Sequence, residues 1–295
     1  MNYFLNILLV STLVLSICDA DESVNINGQL IYTDGGSSVN AISWGSSGCR
    51  FSSLYKNEEI SAIDHLTRVN SDAVLFGECN VMGDCVIRRY SLDAKQGGVI
   101  RTGRMPSYIS NHDKLFFYDE SFDGKKWLFM APLGDVKNAE KIFEEPKWMT
   151  LPSGINQSVA MPVTQISNDE VIFVGEDRQL WLYDITNSEL VPMDIGDCRP
   201  ILWRNDRDQL LCSDWDTWDM FLLDIRSKGK VDLPGLKGAY GFVYIPSSDA
   251  LIYGRTRSRF VVGEAYDIFF YSFSNQKEKR IKKDFHLAGG VWIEG

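Results

Sequence analysis

Polar turn residues followed by a short apolar run recur along this chain in strings that resemble one another. Ser71–Gly77 reads SDAVLFG, and Ser248–Gly254 reads SDALIYG. SNDEVIFVG (Ser167–Gly175), SNHDKLFFYD (Ser110–Asp119), RNDRDQLLCSD (Arg204–Asp214) and INGQLIYTDG (Ile26–Gly35) follow the same plan. A polar turn opening onto a short β-prone run reads as the middle of a hairpin. Almost no segment carries the 3.6-residue apolar period of an amphipathic helix, so the chain reads as all-β.

The first apolar residues of these runs are Leu30, Val74, Leu115, Val171, Leu210 and Leu251, at intervals of 44, 41, 56, 39 and 41. A period near forty with four strands per unit is that of a β-propeller. The long interval predicts an insertion of roughly fifteen residues between Glu144 and Val159 on that period. Upstream of each turn stands a short apolar segment (PSYI, PILW, GFVYI), and downstream a third run such as LWLYDIT, MFLLDIR or VIRRYSLD. A weaker fourth run follows, as in GGVIRTG. Inner strands are expected near 62–68, 105–109, 161–166, 199–203, 241–245 and 289–294. The last lies in GGVWIEG at the C-terminus and lacks a partner downstream. Pairing it with Gln29–Asp34 builds the first blade from both ends of the chain and leaves no open edge. The expectation is one six-bladed propeller over residues 21–295.

With the repeats in register, the units resemble TolB-type six-bladed propellers. RPILWRNDRDQLL and MPSYISNHDKLFF are similar to the family's P-x-W-S-P-D-G-x-x-I-x-F hairpin, and WLYDI and FLLDI to its aspartate-ended third strand. No repeat keeps the central P-D-G intact. The resemblance spans most of the chain. It implies a propeller with periplasmic or secreted binding and scaffolding roles, enzymes standing among more distant six-bladed relatives.

Charge and leader narrow the setting. The formal net charge is −10, a field that repels nucleic acid and anionic membrane surfaces, so no nucleic-acid partner is expected. The run from Phe4 to Ile17 is short for a membrane span and right for a signal-peptide core, with Cys18 and Ala20 at −3 and −1 of a cut. Residues 1–20 are therefore expected to be a signal peptide, leaving a secreted or periplasmic protein without an integral membrane span. An uncleaved anchor and lipid attachment at Cys18 stay open. In an oxidising compartment the remaining cysteines read as disulfides. Cys198 and Cys212 flank a hairpin centred on Asn205, and Cys79 and Cys85 flank a short loop; these are the two expected bridges, with Cys49 free.

No G-x-S-x-G, H-E-x-x-H, P-loop or EF-hand string is present. The most unusual stretch is SDWDTWD (Ser213–Asp219), in the loop between strands two and three of blade five. Asp214 and Asp216 with Trp215 and Trp218 could hold a sugar, indoles covering a pyranose face and carboxylates accepting its hydroxyls. The carboxylates could instead bind calcium, the one cofactor in view. Alternatively the tryptophans pack between blades. The corresponding loop of blade six carries Arg255, Arg257 and Arg259, which could bind an anion or pair with the acidic loop next door. His65 beside Asp64 falls on an inner strand near the channel, either as a base or as a hydrogen-bonded wall residue. The leading expectation is a non-catalytic propeller binding a protein or saccharide. The competing one is a secreted hydrolase or lyase, calcium-assisted, working over the channel with Asp64, His65 and Asp214.

Overall fold

The computed structural model describes residues 27–45, 48–122, 124–145, 149–150, 156–157, 161–175, 178–204, 207–259 and 263–294; the side chains of 149–150, 156–157, 257–259 and 263–265 are not among those described. The expected leader, residues 1–20, lies outside them. Six four-stranded antiparallel sheets form the blades of a propeller. Blade 2 runs through Ala62–Asn70, Ala73–Cys79, Cys85–Ser91 and Gln96–Thr102. Blade 3 has Arg104–Ile109, Lys114–Glu120, Lys126–Pro132 and Glu140–Glu144. Blade 4 begins with a short inner strand, Thr164–Gln165, followed by Glu170–Val174, Leu180–Asp184 and Glu189–Pro192. Blade 5 comprises Arg199–Arg204, Gln209–Ser213, Met220–Asp224 and Lys230–Asp232. Blade 6 comprises Ala239–Ile245, Ala250–Arg259, Gly263–Ser272 and Lys277–Lys282.

Blade 1 is made from both ends of the chain. Its inner strand is Gly289–Glu294, followed by Gly28–Thr33, Ser38–Gly45 and Gly48–Lys56. Leu30 pairs with Trp292 and Thr33 with Gly289, one position from the Gln29–Asp34 partner expected from the sequence. Within the interval expected to hold an insertion, Met149–Thr150 pairs with Asn156–Gln157 as a separate two-stranded piece.

The apolar runs are continuous because each second strand is covered on both sides. Successive side chains of a strand point to opposite faces. In blade 4, Val171 and Phe173 enter the core shared with blade 3, while Ile172 and Val174 enter the core shared with blade 5. In blade 5, Leu210 faces blade 4 and Leu211 faces blade 6. Six such apolar clusters lie at the six junctions between neighbouring blades, and they hold the ring together.

The repeated phrase ends in glycine for a packing reason. A Cβ on Gly77 would stand 2.0 Å from Asp64 Oδ1, and one on Gly254 would stand 2.8 Å from the Tyr240 ring. In both blades an inner-strand side chain lies across the second strand, and only a bare Cα leaves it room.

Both expected disulfides are present, Cys79–Cys85 and Cys198–Cys212. Cys79 and Cys85 face each other in register. The second bridge is not the symmetric pair that a hairpin centred on Asn205 implies. An irregularity between Pro200 and Leu202 shifts the register, so that Cys212 opposes Pro200 and bonds diagonally to Cys198, with their Cα atoms 5.3 Å apart. Cys49, expected to be free, is disulfide-bonded as well, to a partner outside the described residues, and none of the described cysteines is free.

Candidate functional site

The centre of the ring is a cavity of about 1210 Å³ to which all six blades contribute, from His65 of blade 2 and Asn111 of blade 3 round to Gly290 of blade 1. At the end where the loops between second and third strands gather, its wall includes Arg199, Met220, Tyr240 and Trp218. Apolar side chains dominate the wall around them, notably Met161, Ile201 and Phe242.

The loop 214–219 is a compact turn organised by one carboxylate. Asp214 Oδ1 accepts the N–H groups of Asp216 (2.9 Å) and Thr217 (2.8 Å) and the Thr217 hydroxyl (3.1 Å). Those donors, the Thr217 amide first, hold its carboxyl below the usual aspartate range. The Asp214 N–H donates to Asp219 O at 2.9 Å and the Trp218 N–H to Asp214 O at 3.2 Å, closing the turn. Trp218 is thereby held at φ 59°, a left-handed conformation costly for a bulky residue, with its side chain exposed.

The two tryptophans of this loop separate. Trp215 is buried in the core between blades 4 and 5, against Val174, Leu180 and the Cys198–Cys212 bridge, in the packing role. Trp218 is 45% exposed and lines the cavity. Arg199, at the start of blade 5's inner strand, lies between them, its guanidinium carbon 4.6 Å from the Trp218 ring centre and 5.5 Å from that of Trp215. Asp216 pairs with Arg178 at 2.9 Å, and Asp219 with Lys237 at 2.7 Å. With Asp214 turned into its own loop, the carboxylates do not converge, and among the described residues no group of three metal-ligating side chains forms. The calcium expectation finds no donor set here.

Of the blade-6 arginines, Arg255 has its contacts away from this loop. Arg255 pairs with Glu278 of its own blade at 2.9 Å and stacks over Phe269 at 5.1 Å. Arg255 still pairs with Ala239 of the inner strand, and beyond it the strands run on as an extended hairpin, Arg257 opposite Ala265 and Arg259 opposite Gly263. The side chains of Arg257 and Arg259 lie outside the described residues.

Asp64 and His65 fall in a register irregularity between Ile63 and Leu66, and their side chains take different directions. His65 lines the channel, accessible to channel water but ringed by protein, and that enclosure holds its imidazole down at about 4. Asp64 turns into the junction of blades 2 and 3, where Oδ2 accepts the Met105 N–H at 2.8 Å. Burial pushes its carboxyl up to about 6, against the pull of the Met105 and Gly77 amides and the Arg104 charge. The pair expected to act as base and partner is thus divided.

Arg199, Trp203 and Tyr240 also line the cavity and were not singled out from the sequence. The usable signal was partly there: Arg199 and Trp203 fall on a segment read as an inner strand, where a cation or an aromatic ring has the channel beside it, while Tyr240 falls one residue before the next such segment.

No protein-family model matches the chain, and no curated relative does. Solved structures do. TolB from Acinetobacter baumannii superposes with a TM-score of 0.66 at 10% identity, over 90% of this chain and 66% of that one, so the chain spans just under two thirds of that protein. A nidogen/laminin complex gives 0.65 at 11% identity, over 90% of this chain and 98% of the matched one. The WD40 propeller domain of Doa1 gives 0.50 at 12% identity, covering 91% and 86%. At such identities the likeness shows architecture alone, and the chain is a six-bladed β-propeller structurally similar to TolB.

Proposed function

We propose that this chain is an exported, non-catalytic propeller, secreted or periplasmic, that binds a protein or glycan partner at the channel mouth on its loop rim. The observation that carries the reading is Trp218: a large aromatic side chain left exposed at a cavity wall on strained backbone, beside an arginine. Exposed tryptophan next to a concave, mostly apolar surface is the usual make-up of a binding anchor. The disulfides support the export, since such bonds persist in oxidising compartments. No helix among the described residues is long and apolar enough to cross a membrane. One of the similar solved structures is itself a protein–protein assembly, nidogen with laminin, and that likeness supports a binding role.

The test is site-specific photo-crosslinking in cells that export the protein. A photoreactive phenylalanine at position 218 should yield a discrete adduct, whereas the same group at Val191, exposed on an outer strand, should not. Equal labelling at the two positions, or none at 218, would refute the reading.

A further inference from the structure

Among the described residues Arg199 is a cation with no anion. It makes no hydrogen bond or ion pair among the described residues, and its contacts are the faces of Trp215 and Trp218. Every nearby carboxylate of the acidic loop is committed elsewhere: Asp214 to its own turn, Asp216 to Arg178, Asp219 to Lys237. In a chain of net charge −10, an unpaired guanidinium inside a cavity wall is a costly thing to keep. Two indole faces flank the guanidinium, whose planar fork is what a carboxylate engages bidentately.

We propose that Arg199 anchors a carboxylate of a short acidic peptide segment entering the channel mouth, with Trp218 covering the apolar part of that segment. The inference rests on the binding role proposed above and specifies its ligand. A peptide suits the wall better than a saccharide. Met161, Met220, Ile201 and Phe242 offer apolar contact, while the loop carboxylates that would accept sugar hydroxyls are already engaged. The overall negative field opposes a polyacidic run, so the preferred segment carries a single carboxylate, on a side chain or at a C-terminus.

The experiment is a synthetic peptide array in which each acidic octapeptide is paired with its amide counterpart, Asp with Asn, Glu with Gln, free C-terminus with amidated. The intact protein should retain a subset of acidic members about ten- to a hundredfold more tightly than their amides, the range of a charge-assisted hydrogen bond. Arg199→Gln should erase that preference. Arg199→Lys, which keeps charge and stem but loses the fork, should keep only part of it, and unchanged melting temperatures confirm folding of both. Acidic and amide peptides bound alike, or a preference that survives in folded Arg199→Gln, would overturn the assignment. So would capture of uronic-acid oligosaccharides with no acidic peptide bound. An adduct at position 218 without acid preference would sink this inference alone and leave the binding role standing.

Discussion

Trp215 and Trp218 stand three residues apart and do different work, which substitution should separate. Trp215 fills the junction of blades 4 and 5, so Trp215→Ala should cost about 3–5 kcal/mol, as large-to-small core changes do. Trp218 sits exposed on left-handed backbone. Trp218→Gly relieves that conformation and should leave stability unchanged or raised by up to about 1 kcal/mol, while abolishing binding. Thermal melts of the two variants decide it, and a large loss from Trp218→Gly would contradict the division. A second residue-scale prediction concerns pH. The Asp64 carboxyl rises from its ordinary 3.8 to about 6 in the fold, because burial penalises its charge. A raised acid contributes stability that is fully present below about 4 and is lost as pH climbs through about 6. Asp64→Asn should flatten that segment of the stability curve, making the variant relatively more stable at pH 7 than at pH 4 by roughly 2–3 kcal/mol. Denaturant melts across this range would show it, and parallel curves for the two proteins would refute it.

At the scale of elements, the strongest ties run between blades. Arg204 at the end of blade 5's inner strand is buried and grips Asp249 of blade 6 through two nitrogens, at 2.7 and 3.1 Å. Removing the arginine leaves Asp249 with only the Tyr244 hydroxyl as a side-chain donor, so Arg204→Met should cost about 3–5 kcal/mol, part of it recovered in the double variant that also carries Asp249→Asn, which removes the charge and tolerates the left-handed φ of 44°. Additive losses in a chemical-denaturation cycle would contradict this coupling. The sequence already showed why these elements exist: six polar turns before six apolar runs located the inner hairpins and the closure within three residues. It missed the irregularity at Pro200–Leu202, because nothing in PILW states which residue slips out of register. It also assigned both tryptophans of SDWDTWD together, since one turn residue decides which indole faces the core. Arg199 was passed over for a related reason: its meaning lies in the absence of a nearby carboxylate, and Asp214 and Asp216 look available until their turn and Arg178 are seen.

For the whole molecule, closure and the proposed binding rest on one architecture. The C-terminal strand completes blade 1, and its Glu294 accepts a hydrogen bond from the Ser247 hydroxyl of blade 6 at 2.9 Å. Deleting 289–295 would strip the inner strand from blade 1 and expose the edge of Gly28–Thr33. The truncated protein should elute as aggregate on size exclusion, and a soluble monomer with unaltered melting would refute the importance of closure. The same ring brings residues of all six blades to one cavity, and the central claim is that a partner enters it from the side of Trp218 and Arg199. Hydrogen–deuterium exchange with an acidic peptide selected from the array tests this most directly. The account predicts protection in 199–204, 213–219 and 239–245 on adding peptide, with the outer strands 189–192 and 230–232 unchanged. Protection confined to those outer strands would contradict it.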